Sequence, residues 1–153
     1  MNSTQPKLRL SLLAGALLVF FSIAFFLCPL SASAMPLSFA GIASLRDMAQ
    51  QSMPYEKALS NGKPTLIEFY ADWCRSCQSL APTINYFHQQ YGSQVNFVML
   101  NVDEPQWSQQ VQQYQVAGVP QFFFMKSDRT VMKTLVGRVP GSILAQLFEQ
   151  LVH

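Results

Sequence analysis

The sequence predicts an α/β domain, a mixed central sheet with helices on both faces, preceded by one hydrophobic N-terminal helix. Three observations predict it. Thr65 to Tyr70 is an apolar run suited to a buried strand, and after it the pattern switches to helical spacing at Leu80, Ile84, Phe87 and Tyr91. Two further strand-like runs, Gln94 to Val102 and Gln121 to Met125, are separated by a second helical pattern. Before all of these lies Leu10 to Leu27, a stretch with no charged residue.

The chain has 153 residues, a one-domain length. Lys7 and Arg9 are the leader's share of ten basic residues, and all eight acidic residues lie downstream, so the remainder is formally neutral. No basic patch points to nucleic acid, and no charge run suggests a disordered tail.

The leader, residues 1–34, reads as a signal anchor or a signal peptide. Leu10–Leu27 spans eighteen residues, longer than a signal-peptide core of about 7–15 and near the roughly 17–25 of a membrane span. Ala32-Ser33-Ala34 is nonetheless a good small-residue cleavage site. Either outcome places the rest of the chain on the non-cytoplasmic side, because the positive charges precede the apolar segment. The length favours an anchor through Leu10–Leu27, with a cleaved and soluble form as the alternative. Cys28 reads as apolar filler.

Residues 35–53 read as a tether that becomes partly helical, with Ile42, Leu45, Met48 and Ala49 on one face. The globular domain is expected over 54–153. Ser52 is placed to cap a short helix, Tyr55–Ser60, which Asn61-Gly62 stops. Next comes the central strand. Alternation puts Glu68, Tyr70 and Asp72 on one face and Ile67 and Phe69 on the other. Glu68 is the strand's only charge; buried, its pKa rises and it can exchange protons near neutrality, whereas a partly exposed glutamate would have no role.

The strand ends in Ala71-Asp72-Trp73-Cys74-Arg75-Ser76-Cys77. Cys74 falls where strand gives way to helix, and there the free backbone N–H groups and the helix dipole favour a thiolate. Arg75 follows directly and adds a cation, so the Cys74 thiol is expected to ionise easily. Two intervening residues put Cys77 one turn on, within disulfide reach. Cys74 is thus the candidate nucleophile, Cys77 the resolving thiol, and Arg75 and Ser76 the residues that tune the couple. A C-x-x-C pair is also half of a structural zinc site, but the other ligands on offer, Cys28, His88 and His153, do not fall at ligand spacing. No metal is expected. A purely structural disulfide is a poor reading too, since so short a loop constrains the unfolded chain little.

Beyond the second strand, Pro105 opens a helix through Tyr114, with Trp107, Val111 and Tyr114 facing the core. Val119-Pro120 then enters the third strand; proline cannot donate to a ladder there, and an ordinary trans turn would serve. Ser127-Asp128-Arg129 turns the chain into Thr130–Val136, an antiparallel partner. Gly137 breaks that strand and Pro140 opens a last helix with Ile143, Leu144, Leu147, Phe148 and Leu151 apolar.

Glu68-Phe69-Tyr70-Ala71-Asp72-Trp73-Cys74, with Cys77, resembles a thioredoxin-fold active site. The likeness continues with Pro82, Val119-Pro120 and Gly137, over about residues 50–153. It implies a thioredoxin fold with Val119–Pro120 in cis facing the cysteines, its backbone pairing with an extended substrate segment. It places Trp73 in the site, and it makes Glu68, standing where thioredoxins carry an Asp, the proton relay for Cys77. Many thioredoxins have a Lys where this chain has Met99. A fuller likeness, through the leader, Leu59-Ser60-Asn61-Gly62-Lys63-Pro64, Asn96 to Asp103 and Gly137-Arg138, is to the membrane-anchored, lumen-facing thioredoxin-like proteins of cyanobacteria and plastids, the TxlA type.

That family implies a protein-disulfide reductase in the thylakoid lumen or periplasm, recharged by a membrane electron carrier and acting on apocytochromes or other lumenal proteins in electron-transport and cytochrome assembly. It implies no cofactor beyond a redox-active Cys74–Cys77 disulfide. The alternatives are a periplasmic oxidant or isomerase on the same residues, and a non-redox binding or chaperone module using the Val119-Pro120 groove. The Arg75-Ser76 dipeptide lacks the His of DsbA-type oxidants, which favours the reductase.

Overall fold

The computed structural model describes residues 37–153; the leader, with the helix expected over Leu10–Leu27, lies outside the described residues. Helices α1 (Leu37–Gln51) and α2 (Tyr55–Ser60) precede strand β1 (Thr65–Tyr70). Helix α3 (Arg75–Tyr91), strand β2 (Asn96–Asn101), a 3-10 turn (Pro105–Trp107) and helix α4 (Ser108–Gln113) follow. Strands β3 (Gln121–Met125) and β4 (Val131–Val136) and helix α5 (Gly141–Val152) complete the domain.

The four strands lie in the order β2-β1-β3-β4. β1 runs parallel to β2, with Tyr70 opposite Asn101, and antiparallel to β3, with Glu68 opposite Phe122. β4 is the antiparallel outer partner of β3. Every residue of β1 and β3 is buried, as a central strand covered on both faces requires. One face carries Leu66, Tyr70, Phe97, Phe122 and Phe124 under α1, α3 and α5. The other carries Ile67, Phe69, Val98, Leu100 and Phe123 under α2, with Tyr114 and Trp107 packed at its margin. Trp107 therefore packs, its ring edge-on to Tyr55 at 6.2 Å. This is a thioredoxin fold.

The segment expected as a tether is helical over Leu37–Gln51 and packs into the domain. Leu45 is 0 % exposed and Met48 is buried beside it, so the compact unit reaches upstream of residue 54. The apolar spacing that suggested partial helicity is a core face. Ser52 does not cap α2: its hydroxyl donates to Ala49 O, back into α1. Met53 N–H is drawn instead to Phe97 O at 2.7 Å, which ties the linker to the edge of β2 and turns Ser52 away. The helix expected from Pro105 to Tyr114 is split, its first turn being the 3-10 turn.

Candidate active site

The site forms where β1 ends and α3 begins. Cys74 is the N-cap of α3, and its Sγ accepts the Cys77 N–H at 3.1 Å. A thiolate at this point would hold that same amide, which is one of the donors a helix N-terminus leaves free. Cys74 and Cys77 are joined as a disulfide with Cα atoms 5.3 Å apart. The two sulfurs differ in access: Cys74 is 5 % exposed and Cys77 is 0 % exposed. Only the first can meet another protein.

Opposite the pair lies the loop before β3. The Val119–Pro120 bond is cis, and Cys74 Sγ stands 3.5 Å from Val119 O. The loop is fixed at both ends, Ala117 N–H donating to Gln121 Oε1 at 2.9 Å and Gly137 N–H to Pro120 O at 2.7 Å. Gly137 has φ +82°, a left-handed conformation that glycine adopts without strain. Pro120 is buried and Val119 half-buried.

Trp73, next to Cys74 in the chain, is 66 % exposed. Its indole N–H donates to Asp103 Oδ2 at 2.8 Å. Arg75, first residue of α3, is exposed, and Ser76 is half-buried with its carbonyl accepting from Ser79 Oγ. Asp72 is held by Arg46 of α1, whose Nε and Nη2 lie 2.9 and 2.7 Å from Asp72 Oδ2. Gln78 Nε2 donates to the Asp72 backbone carbonyl at 2.6 Å.

Glu68 lies deeper, 2 % exposed, on the face of β1 under α1 and α3. Its Oε2 has no hydrogen-bond partner. Burial pushes the carboxyl up to about 8, because removal from water disfavours the charged form. A cavity of about 10 Å³, the size of one water, adjoins it, lined in part by Met48, Ile84, His88 and Met99. Among the described residues no hydrogen bond joins Glu68 to either cysteine. Tyr70, on the same face, has its hydroxyl pushed up to about 12 by burial first and then by the charges of Asp72, Glu104 and Glu68.

The structure thus gathers Cys74, Cys77, Trp73, Val119 and Pro120 within one surface site. It sets Arg75 and Ser76 on its helical rim and Glu68 beneath it. Three residues that sequence reasoning passed over complete the arrangement: Asp103, Gln78 and Arg46. Asp103 was findable in principle. Parallel pairing of Tyr70 with Asn101 brings the chain just beyond both strand ends together, and there Trp73 meets Asp103. Gln78 and Arg46 carry no such signal: Gln78 reaches back to a backbone carbonyl within the β1–α3 turn, and the contact of Arg46 depends on where α1 docks.

Fold and site together define a protein of the thioredoxin-fold class with a C-x-x-C redox pair at a helix N-terminus. The Thioredoxin family profile matches residues 47–150, and the chain belongs to that family. It is 50% identical over 104 residues to the thioredoxin-like protein HCF164, chloroplastic, of Oryza sativa subsp. japonica, a match covering 68% of this chain and 39% of that protein. It is 38% identical over 152 residues to the thiol:disulfide interchange protein TxlA of Synechococcus elongatus, covering 99% of this chain and 75% of that protein. The match thus spans about two-fifths of the plant relative's length. A solved structure from work on thiol resolution in yeast mitochondrial 1-Cys peroxiredoxin via glutathione/thioredoxin systems superposes with TM-score 0.53 and 25% identity, covering 61% of this chain and 83% of that one.

Proposed function

We propose that this protein is a thiol:disulfide oxidoreductase that reduces disulfides of other proteins. The observation that carries the reading is the Cys74 sulfur at the N-cap of α3, accepting the Cys77 amide at 3.1 Å, beside the buried Cys77. In the reduced protein the Cys74 thiolate attacks one sulfur of a substrate disulfide, forming a mixed disulfide and expelling the other sulfur as a thiolate. Cys77 then gives up its proton and attacks Cys74 Sγ. The second substrate sulfur leaves, and the electrons lost by the two cysteines now reside on the substrate as two thiols. The protein is left as the Cys74–Cys77 disulfide.

Glu68 takes the Cys77 proton in this reading. Its carboxyl changes charge near pH 8, a suitable range for a thiol partner. Without a direct hydrogen bond, the transfer runs through water. Val119 supplies backbone to an extended substrate segment, and Trp73 a hydrophobic flank. Arg75 and Ser76 tune the couple. No bound cofactor or metal is needed, because the sulfur pair carries both electrons.

The reading extends to place. The apolar Leu10–Leu27 segment holds the domain on the non-cytoplasmic side of a membrane, in a thylakoid lumen or periplasm, where a membrane electron carrier restores the dithiol and apocytochrome cysteines are among the substrates. The relatives' names, chloroplastic in one case and thiol:disulfide interchange in another, support this assignment.

Insulin reduction separates the possibilities. Cys74→Ser should abolish turnover, and Cys77→Ser should stop after one event with the substrate still attached. Survival of function in both variants would point to a binding module instead. Equilibration with dithiothreitol or glutathione mixtures should give a reduction potential nearer thioredoxin's, about −270 mV, than DsbA's, about −120 mV. A value at the DsbA end would make the protein an oxidant.

A further inference from the structure

Helix α1 builds a second wall beside the redox site. Its first turns lie against the start of α3, and the approach is close at Gly41, where an added Cβ would stand 3.0 Å from Gln78 Cβ. Between the helices opens a cleft of about 640 Å³. Gly41 and Ile42 line one side, Arg75, Ser79 and Pro82 the other, and Trp73 one end. The Thioredoxin family match begins at residue 47, after Gly41 and Ile42.

The cleft lies beside the reactive sulfur, which is not itself part of its lining. Trp73 and Arg75 are the neighbours of Cys74 in the chain, and both line it. Its surface is mostly apolar, with Arg75 its charged side chain. Arg75 makes no ion pair among the described residues, whereas Arg46, the basic residue of α1, is engaged by Asp72. An occupant that satisfies both features is an extended peptide with apolar residues and a carboxylate.

We propose that this cleft holds the segment flanking the disulfide of a protein substrate, an apolar residue lying against Ile42 and Pro82 and an acidic residue facing Arg75. The inference rests on the thiol:disulfide reading of Cys74 and adds a substrate preference to it. A substrate chain that meets Val119 on one side of Cys74 runs on past Trp73 into the cleft. Proteins whose reactive cysteines have acidic and apolar neighbours are then reduced ahead of those with basic neighbours.

The test uses the full-length protein and two synthetic peptide disulfides that differ only in carrying Asp or Lys beside the cysteines. Bis(2-hydroxyethyl) disulfide, too small to enter the cleft and the sulfur site together, supplies the baseline. The wild-type protein should reduce the Asp peptide several-fold faster than the Lys peptide. Ile42→Glu should lower that ratio by about threefold or more, and Ile42→Lys should raise it, as a unit charge several ångströms away in partly screened surroundings does. Ser79→Glu and Ser79→Lys, on the opposite wall at an exposed position, should act in the same directions and guard against a folding defect at residue 42. Each peptide rate is divided by the same variant's rate on the small disulfide, so a general loss of activity or folding cancels from the ratio. A peptide ratio that ignores charge at both positions would overturn the proposal while leaving the functional reading intact. Failure of the wild-type protein to reduce even the small disulfide would remove the reading and the cleft's role with it.

Discussion

Glu68 is a carboxyl held among apolar side chains, and its energetics follow from that. Its pKa in the folded protein, about 8, exceeds the ordinary value of 4.5. The folded state therefore binds a proton more tightly than the unfolded chain does. Between those two pH values stability falls as pH rises, the reverse of the usual salt-bridged carboxylate. From pH 5 to pH 8 the decline should be on the order of 3 kcal/mol from this group. Urea denaturation at both pH values measures it: Glu68→Gln should flatten the dependence and gain stability at pH 8. An unchanged slope in the variant would mean the carboxyl is already ionised at neutral pH. The same substitution should slow the second step of reduction, seen as a mixed disulfide that persists, while the first attack by Cys74 proceeds.

Among the elements, α1 shows which forces hold a docked helix. The Arg46–Asp72 ion pair is short, yet the arginine is 61% exposed, and exposed pairs contribute about 0–1 kcal/mol. Leu45 and Met48 are buried in the main core, and a buried leucine cut to alanine costs about 2–5 kcal/mol. Leu45→Ala should therefore lower the unfolding midpoint clearly, and Arg46→Ala by little, in the same denaturation experiment. Elements with self-contained signals were legible in the sequence: the apolar run of β1, the Asn61-Gly62 stop of α2 and the aromatic β3. The site was legible where chemistry and spacing coincide, at Cys74 and Cys77. What escaped were contacts created by docking. Nothing in residues 35–53 says that their apolar face meets α3 rather than solvent or lipid, so Arg46 stayed invisible. The splitting of the helix after Pro105 escaped as well, since apolar spacing does not distinguish a 3-10 turn from an α-helical one.

At the scale of the whole domain, Phe148 of α5 joins the helices to the sheet. Its ring stacks with Phe87 at 4.8 Å and Tyr91 at 5.2 Å, both from α3, and with Phe97 of β2 at 5.3 Å. It meets Phe124 of β3 edge-on. Phe148→Ala should cost about 3–5 kcal/mol, a large part of a typical domain's 5–15 kcal/mol. Loss of the near-ultraviolet circular dichroism of the aromatic cluster would register it. The outer strand β4 is guarded differently: Val131 and Val136 are exposed, but a register irregularity at Phe124/Met125 and the exposed Lys133 interrupt it, features that discourage edge-to-edge pairing.

The placement of α1 also decides where this polypeptide tolerates being shortened. A recombinant fragment begun at residue 47, where the family match starts, would sever α1 within its own turns and discard Leu45 with it. Its solubility and yield would suffer although every cysteine and strand remained. The workable start lies ahead of Leu37, and a protease releasing the domain intact would have to cut on that side.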